Sequence, residues 1–200
     1  MAKLLGLALL AWLAVGCGGG SDASKDVVPG DDTGVGDVFP DAGPYEDTVN
    51  LNITSVWADP ATGLVWQDPP AEDHMYWVTA KQYCEDVEGD GHSDWRLPTV
   101  GELRTLLRGC PATITGGTCN VDDDDCLLTA CADATCAGCT EDDLPDSGCF
   151  RPAELNGACD WFWSSSADGA GGDAWAVDFL YSTVYSDDGS HAANIRCVHD

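Results

Sequence analysis

Asp94-Trp95-Arg96-Leu97-Pro98-Thr99-Val100-Gly101-Glu102-Leu103 is the stretch on which the fold of this 200-residue chain turns. Thr99 is placed to cap the backbone N–H groups of a new helix, and Glu102, three residues on, reaches back to the cap, which is the reciprocal capping box. Pro98, just before the cap, keeps Leu97 extended. Leu103, Leu106 and Leu107 then repeat at helical spacing and are expected to face a core, with Arg104 and Arg108 outward and the helix stopping near Gly109. A capping box by itself assigns no function.

Outward from that stretch, the first segment of the chain reads as an export signal. Lys3 precedes an apolar run from Leu4 to Val15, and Gly16 stands before Cys17. The run is too short to span a bilayer, which takes roughly 20 apolar residues. Leu13-Ala14-Val15-Gly16-Cys17 resembles a bacterial lipobox, so residues 1–17 are read as a lipoprotein signal with Cys17 acylated. Ala14 departs from the preferred leucine of that pattern, and an ordinary cleaved signal is the alternative. Gly18 in place of an aspartate favours an outer membrane or cell-surface location.

Eleven cysteines are an odd count for an oxidising compartment, and assigning Cys17 to lipid leaves an even set. Cys84, Cys110, Cys119, Cys126, Cys131, Cys136, Cys139, Cys149, Cys159 and Cys197 then permit five disulfides whose connectivity spacing alone does not fix. Cys136-Ala137-Gly138-Cys139 keeps two alternatives open, a zinc site and a redox dithiol. No second ligand pair and no thioredoxin-like pattern accompanies it.

The formal charge is −27, which argues against nucleic acid and anionic membrane surfaces as partners. Residues 18–50 are rich in Gly, Asp, Pro, Val and Ser with almost no aromatic residues, the composition of a disordered acidic linker. Seven of the eight tryptophans fall between Trp57 and Trp175, so residues 51–200 are read as one domain with a core of its own. Within it, residues 110–159 hold eight cysteines and little apolar periodicity, and are read as a disulfide-rich insertion.

The elements expected in the domain are a strand over Gly63–Gln67, a helix from about Val78 to Val87 that turns Trp77, Ala80 and Cys84 inward, and a strand over Trp161–Ser166. A half-buried strand follows, with Trp175, Val177 and Phe179 alternating with Ala174, Ala176 and Asp178. Thr183-Val184-Tyr185 is expected to pair with it through a turn at Tyr181-Ser182, and Ala193–Val198 to close the sheet. Two helices followed by several antiparallel strands make the class α+β.

Thr62-Gly63-Leu64-Val65-Trp66, Trp77 to Cys84, Asp94 to Thr99 with Glu102-Leu103, Phe162-Trp163-Ser164-Ser165-Ser166, Ala174-Trp175 and Arg196-Cys197-Val198 together resemble, in order, the Lcl C-terminal domain family. That family is named for the terminal domain of a bacterial collagen-like adhesin and was long a domain of unknown function. The Arg-Leu-Pro-Thr-x-x-Glu core is also similar to formylglycine-generating enzymes, and both resemblances imply a C-type-lectin-like domain with two helices and a small twisted antiparallel sheet. By the same resemblance Cys84 is expected to bond Cys197, with the other eight cysteines pairing inside the insertion. The reactive cysteine pair of the formylglycine-generating enzymes has no matching position here.

Candidate sites follow from residue chemistry. Asp86, Glu88 and Asp90 with Gly91 and Asp94 have the alternating oxygen ligands of a calcium loop, without the glutamate expected at its twelfth position. Asp122 and Asp124, in the run to Asp125, are a second calcium candidate. Trp161, Tyr181 and Tyr185 are candidates for an exposed aromatic patch that stacks on a sugar or a protein partner. Trp66, Trp77, Trp95, Trp163 and Trp175 are read as core, and Arg96 as a salt bridge or backbone clamp. His74, His92, His191 and His199 are scattered singly and no nucleophile has a recognisable setting, so the chain is read as non-catalytic. The resemblance implies a surface binding module, glycan or protein. The 27 acidic and six basic residues after position 50 disfavour the sulphated polysaccharide that the namesake family implies.

Overall fold

The computed structural model describes residues 52–169 and 172–200. The readings on residues 1–17 and 18–50, including acylation of Cys17, lie outside the described residues. Among the described residues no helix is long and apolar enough to cross a membrane.

Among the described residues eight strands and two α-helices follow in the order β1 (Asn52–Ile53), β2 (Val56–Ala58), β3 (Val65–Gln67), α1 (Trp77–Asp86), β4 (Glu88–Gly89), α2 (Val100–Thr105), β5 (Trp161–Asp168), β6 (Asp173–Asp178), β7 (Thr183–Asp187) and β8 (Val198–His199). The class is α+β. The strands form three small sheets rather than one: a parallel pair β1–β4, and two antiparallel sheets ordered β2-β3-β8 and β5-β6-β7. The expected closing strand over Ala193–Val198 is shorter and later, because Ala193 and Asn194 make only isolated bridges to Met75 and Phe162.

The β5-β6-β7 sheet is the centre of the molecule, with apolar side chains packed on both faces. Phe162, Trp175, Val177 and Val184 pack with Val100, Leu103, Leu106 and Leu107 of the α2 segment. Trp163, Ala174 and Ala176 pack with Trp77, Ala80 and Cys84 of α1. Adjacent strand residues point to opposite faces, so β6 is buried on both sides, and Ala174, Trp175, Ala176 and Val177 have no exposed surface. Its alternation is therefore large against small and not inside against outside. The alanine face leaves room for Trp163 and α1.

The signature stretch and the Phe162–Ser166 motif interlock. Thr99 Oγ1 accepts from Glu102 N, and Glu102 Oε2 accepts from Thr99 N, the expected capping box. Val100 N donates to Ser166 Oγ at 2.9 Å and Gly101 N to Asp123 Oδ2 at 2.9 Å. The three N–H groups of the first turn thus all have acceptors. Ser166 is available because β5 is irregular between Trp163 and Ala167, and Ser165 N in that bulge donates to Pro98 O at 2.7 Å. α2 ends at Thr105 and not near Gly109, as Leu106 and Leu107 donate to Leu103 O and Arg104 O in tighter turns.

Arg104 corrects the outward reading. It is 2% exposed, and its guanidinium donates to the carbonyls of Thr113, Ile114, Cys119 and Val121, with Asp122 Oδ2 3.4 Å away. A loop that lacks a ladder leaves carbonyls needing donors, and one buried arginine supplies them. Arg108 is half-buried and donates to Thr105 O and Leu107 O.

The insertion over 110–159 contains three 3-10 turns, at Thr129–Cys131, Ala134–Ala137 and Glu141–Asp143. Disulfides Cys110–Cys139, Cys119–Cys136, Cys126–Cys131 and Cys149–Cys159 staple it, and Cys84–Cys197 ties α1 to the residue before β8 across 113 positions. Val121, Phe150 and Leu155 place apolar side chains in the same core as α2. The insertion is therefore one wall of the domain. It meets the β6–β7 turn, where Ser182 adopts φ 58°, and Cys139 N donates to Tyr181 O at 2.8 Å. A Cβ on Gly138 would overlap that same carbonyl oxygen, so glycine is what lets the two backbones touch.

Candidate functional site

The five core tryptophans are buried, as their positions in the motifs suggest. Arg96 forms a two-pronged pair with Glu102, both contacts 2.7 Å, and reaches Asp200 Oδ1 at 3.1 Å. The Glu102 hydrogen bonds hold its guanidinium above the ordinary arginine range, against a partial desolvation. Arg96 thus orients the glutamate of the capping box.

Two of the three residues of the expected aromatic patch meet, and the third lies in a turn. Trp161 and Tyr185 lie on one sheet face with ring centroids 5.8 Å apart, and Trp161 also meets the Trp163 ring edge-on at 5.1 Å. Both are half-buried. Burial, with Asp178, Asp187 and Asp160 adding, pushes the Tyr185 hydroxyl well above its usual range. Tyr181 is 41% exposed but sits in the β6–β7 turn against the insertion, beyond the ends of the strands that carry the other two rings.

The calcium candidates also separate. Asp90 and Gly91 both have positive φ, 51° and 81°, and form the two-residue tip of a hairpin closed by Gly89 N to His92 O and His92 N to Gly89 O. Asp94 pairs with His92 at 3.1 Å. Asp122 faces Arg104 while Asp123 serves Gly101 and Ser166, and the carboxylates of Asp124 and Asp125 stand exposed. Among the described residues the groups of three side chains close enough to share an ion are His92, Asp94, His199 and Asp187, Asp188, His191.

A cleft of about 750 Å³ opens between the β2–β3 turn and the limb Pro145–Glu154 of the insertion. Trp57, half-buried and paired across the strands with Trp66, lines one side. The turn is held by buried Asp59, whose carboxylate accepts from Ala61 N and Thr62 Oγ1. Arg108 and Arg151 line the cleft too, and among the described residues neither forms an ion pair. Arg151 donates to Pro152 O, Leu155 O and Gly157 O, while its Nε is buried without a hydrogen-bond partner. A half-buried ring, prolines and two guanidiniums, with Asp146 and Glu154 in the same wall, suit a ligand with a flat face and both hydrogen-bond acceptors and donors. Sequence reasoning missed this site because Trp57 and Arg151 lie far apart in the chain; the signal was that Arg151 is the one basic residue in the insertion.

A second cavity, about 360 Å³, has Asp68, Glu72 and Asp73 in its wall. Beside it Tyr83 Oη accepts from Gln67 Nε2 at 3.1 Å, and burial raises the tyrosine above its usual range. Arg196 closes that region from within, donating to Gln67 O, Asp68 Oδ1 and Asn156 O. Desolvation pushes its guanidinium down to about 10, with Asp68 opposing.

No curated protein and no solved structure matches the chain. The profile of the Lcl C-terminal domain family matches residues 55–199, which takes in every strand from β2 on, both helices and the insertion, and the chain belongs to that family.

Proposed function

We propose that this chain is an exported, lipid-anchored surface protein whose domain is a non-catalytic recognition module for a glycan or protein ligand. The cleft between Trp57 and the Pro145–Glu154 limb is the observation that carries the reading. Export and acylation at Cys17, with placement at an outer membrane, rest on the lipobox-like residues before it. The residues between the anchor and the domain then act as a tether.

The distribution of basic groups narrows the ligand. Arg104 and Arg196 are buried and Arg96 is paired with two carboxylates, while Lys81 lies over the Trp77 ring at 3.6 Å. Among the described residues Arg108 and Arg151 remain to face a ligand in the cleft, against a net charge of −27. Such a surface repels a densely sulphated chain and suits a neutral or sparsely acidic one. A thiol oxidoreductase needs Cys136 and Cys139 to bond each other, whereas each bonds a different partner.

Glycan-array and extracellular-matrix binding by wild type, Trp57→Ala and Trp161→Ala tests the reading. Loss of one stacked aromatic is expected to weaken binding at least tenfold, from roughly 1.5 kcal/mol of ring contact. Binding that survives Trp57→Ala and vanishes with Trp161→Ala moves the site to the β5–β7 face. No saturable binding to any surface ligand favours an inert envelope protein.

A further inference from the structure

We infer that His92, Asp94 and His199 form a binding site for a late first-row divalent cation, with zinc the best fitted. One ligand atom from each of the three lies within 4.8 Å of the others. His92 belongs to the hairpin after β4, Asp94 opens the signature stretch, and His199 is the last residue of β8.

His199 carries the argument. It is 2% exposed, its ring stacks on that of His92 with centroids 3.9 Å apart, and Trp95 closes its edge at 4.5 Å. Nδ1 lies 2.8 Å from the carbonyl oxygen of Asp200. A carbonyl only accepts, so Nδ1 bears the proton and Nε2 is left with a lone pair. That Nε2 is buried with no hydrogen-bond partner. An imidazole whose far nitrogen donates to a backbone carbonyl, leaving the other nitrogen bare, is the arrangement that orients a metal-ligating histidine.

The other two ligands stand at the surface, where a cation can arrive: the His92 side chain is 43% exposed and that of Asp94 67%. His92 Nδ1 and Asp94 Oδ1 are 3.1 Å apart. Two ligands held at roughly 2.0–2.1 Å by one tetrahedral zinc sit about 3.3 Å apart, close to the spacing this pair already has. Stacked imidazoles do not aim their in-plane lone pairs at one point, so the third contact requires exposed His92 to swing off the His199 ring. Two imidazoles and one carboxylate suit zinc, nickel or copper, whereas calcium requires six to eight oxygens. All ten described cysteines are in disulfides, so under non-reducing conditions they do not compete. The bound ion ties β8 to the hairpin that precedes the signature.

Isothermal titration of zinc chloride into the chelator-stripped full chain, under non-reducing conditions, tests the site. Wild type is expected to saturate with a component of one equivalent that His92→Ala and Asp94→Asn each weaken at least about tenfold, and that His191→Ala, in the other cluster, leaves unchanged. Both weakening variants are at exposed positions, and their melting without zinc checks that they fold. Long-range proton–nitrogen spectra of wild type read the site without any substitution: zinc is expected to shift His92 and His199 together. No one-equivalent component, unmoved imidazole nitrogens, or loss of that component with His191→Ala in place of His92→Ala would overturn the inference.

Discussion

Asp178 closes β6 and faces three electrical influences at once. Burial raises its carboxyl above the usual range, the amides of Leu180 and Tyr181 pull it back by donating to Oδ1, and Asp160 adds to the rise. The folded state thus holds its proton more tightly than the unfolded chain. Its contribution to stability is full below an unfolded value near about 3.9, and is lost as pH rises through the folded value. Asp178→Asn keeps an acceptor for both amides and removes the titration. Denaturant unfolding between pH 4 and about 6 is expected to show a shallower fall of stability with pH in the variant than in wild type; equal slopes would contradict the assignment. At this scale the sequence was legible where a residue acts locally, as Thr99 and Glu102 do. It was illegible where the partners are remote: nothing near Arg104 announced that four carbonyls from residues 113 to 121 converge on it.

α2 has six residues, too few for a helix to persist alone. It stands because its first turn is capped from three directions, by Thr99, by Ser166 of the β5 bulge and by Asp123 of the insertion. The helix and the insertion therefore depend on each other, and Arg104 is the fastening between them. Arg104→Met preserves volume while leaving the buried carbonyls of Thr113, Cys119 and Val121 without their donor, Ile114 O keeping the amide of Gly117. It is expected to cost about 3–5 kcal/mol in chemical unfolding, with faster amide exchange over 113–121, whereas Arg108→Met is expected to cost about 1 kcal/mol. Equal losses in the two variants would show that the insertion is only draped on the domain. The strands were legible by pattern, yet β6 shows the limit of that signal: alternation between tryptophan or valine and alanine looks the same whether the small face meets water or a packed helix. The Asp90-Gly91 pair forms a two-residue hairpin tip, and the carboxylates of Asp86, Glu88 and Asp90 are not among the described groups of three that come close enough to share an ion.

Across the whole molecule, two apolar clusters lie on either side of one three-stranded sheet, with Cys84–Cys197 inside the α1-side cluster and four bridges of shorter sequence separation on the insertion side. The α+β class and the cysteine-rich insertion were legible from order and composition. The cleft was not, since it lies between segments that only the folded insertion brings together. That cleft exists because the insertion is a structural wall with every cysteine committed, and the recognition reading stands or falls with this. Mass-spectrometric mapping of disulfides in the full chain, purified under non-reducing conditions, is the most direct test. Peptides joined as Cys84–Cys197, Cys110–Cys139, Cys119–Cys136, Cys126–Cys131 and Cys149–Cys159 are predicted; a Cys136–Cys139 bond, or free thiols at those two positions, would contradict the account and return the insertion to redox chemistry.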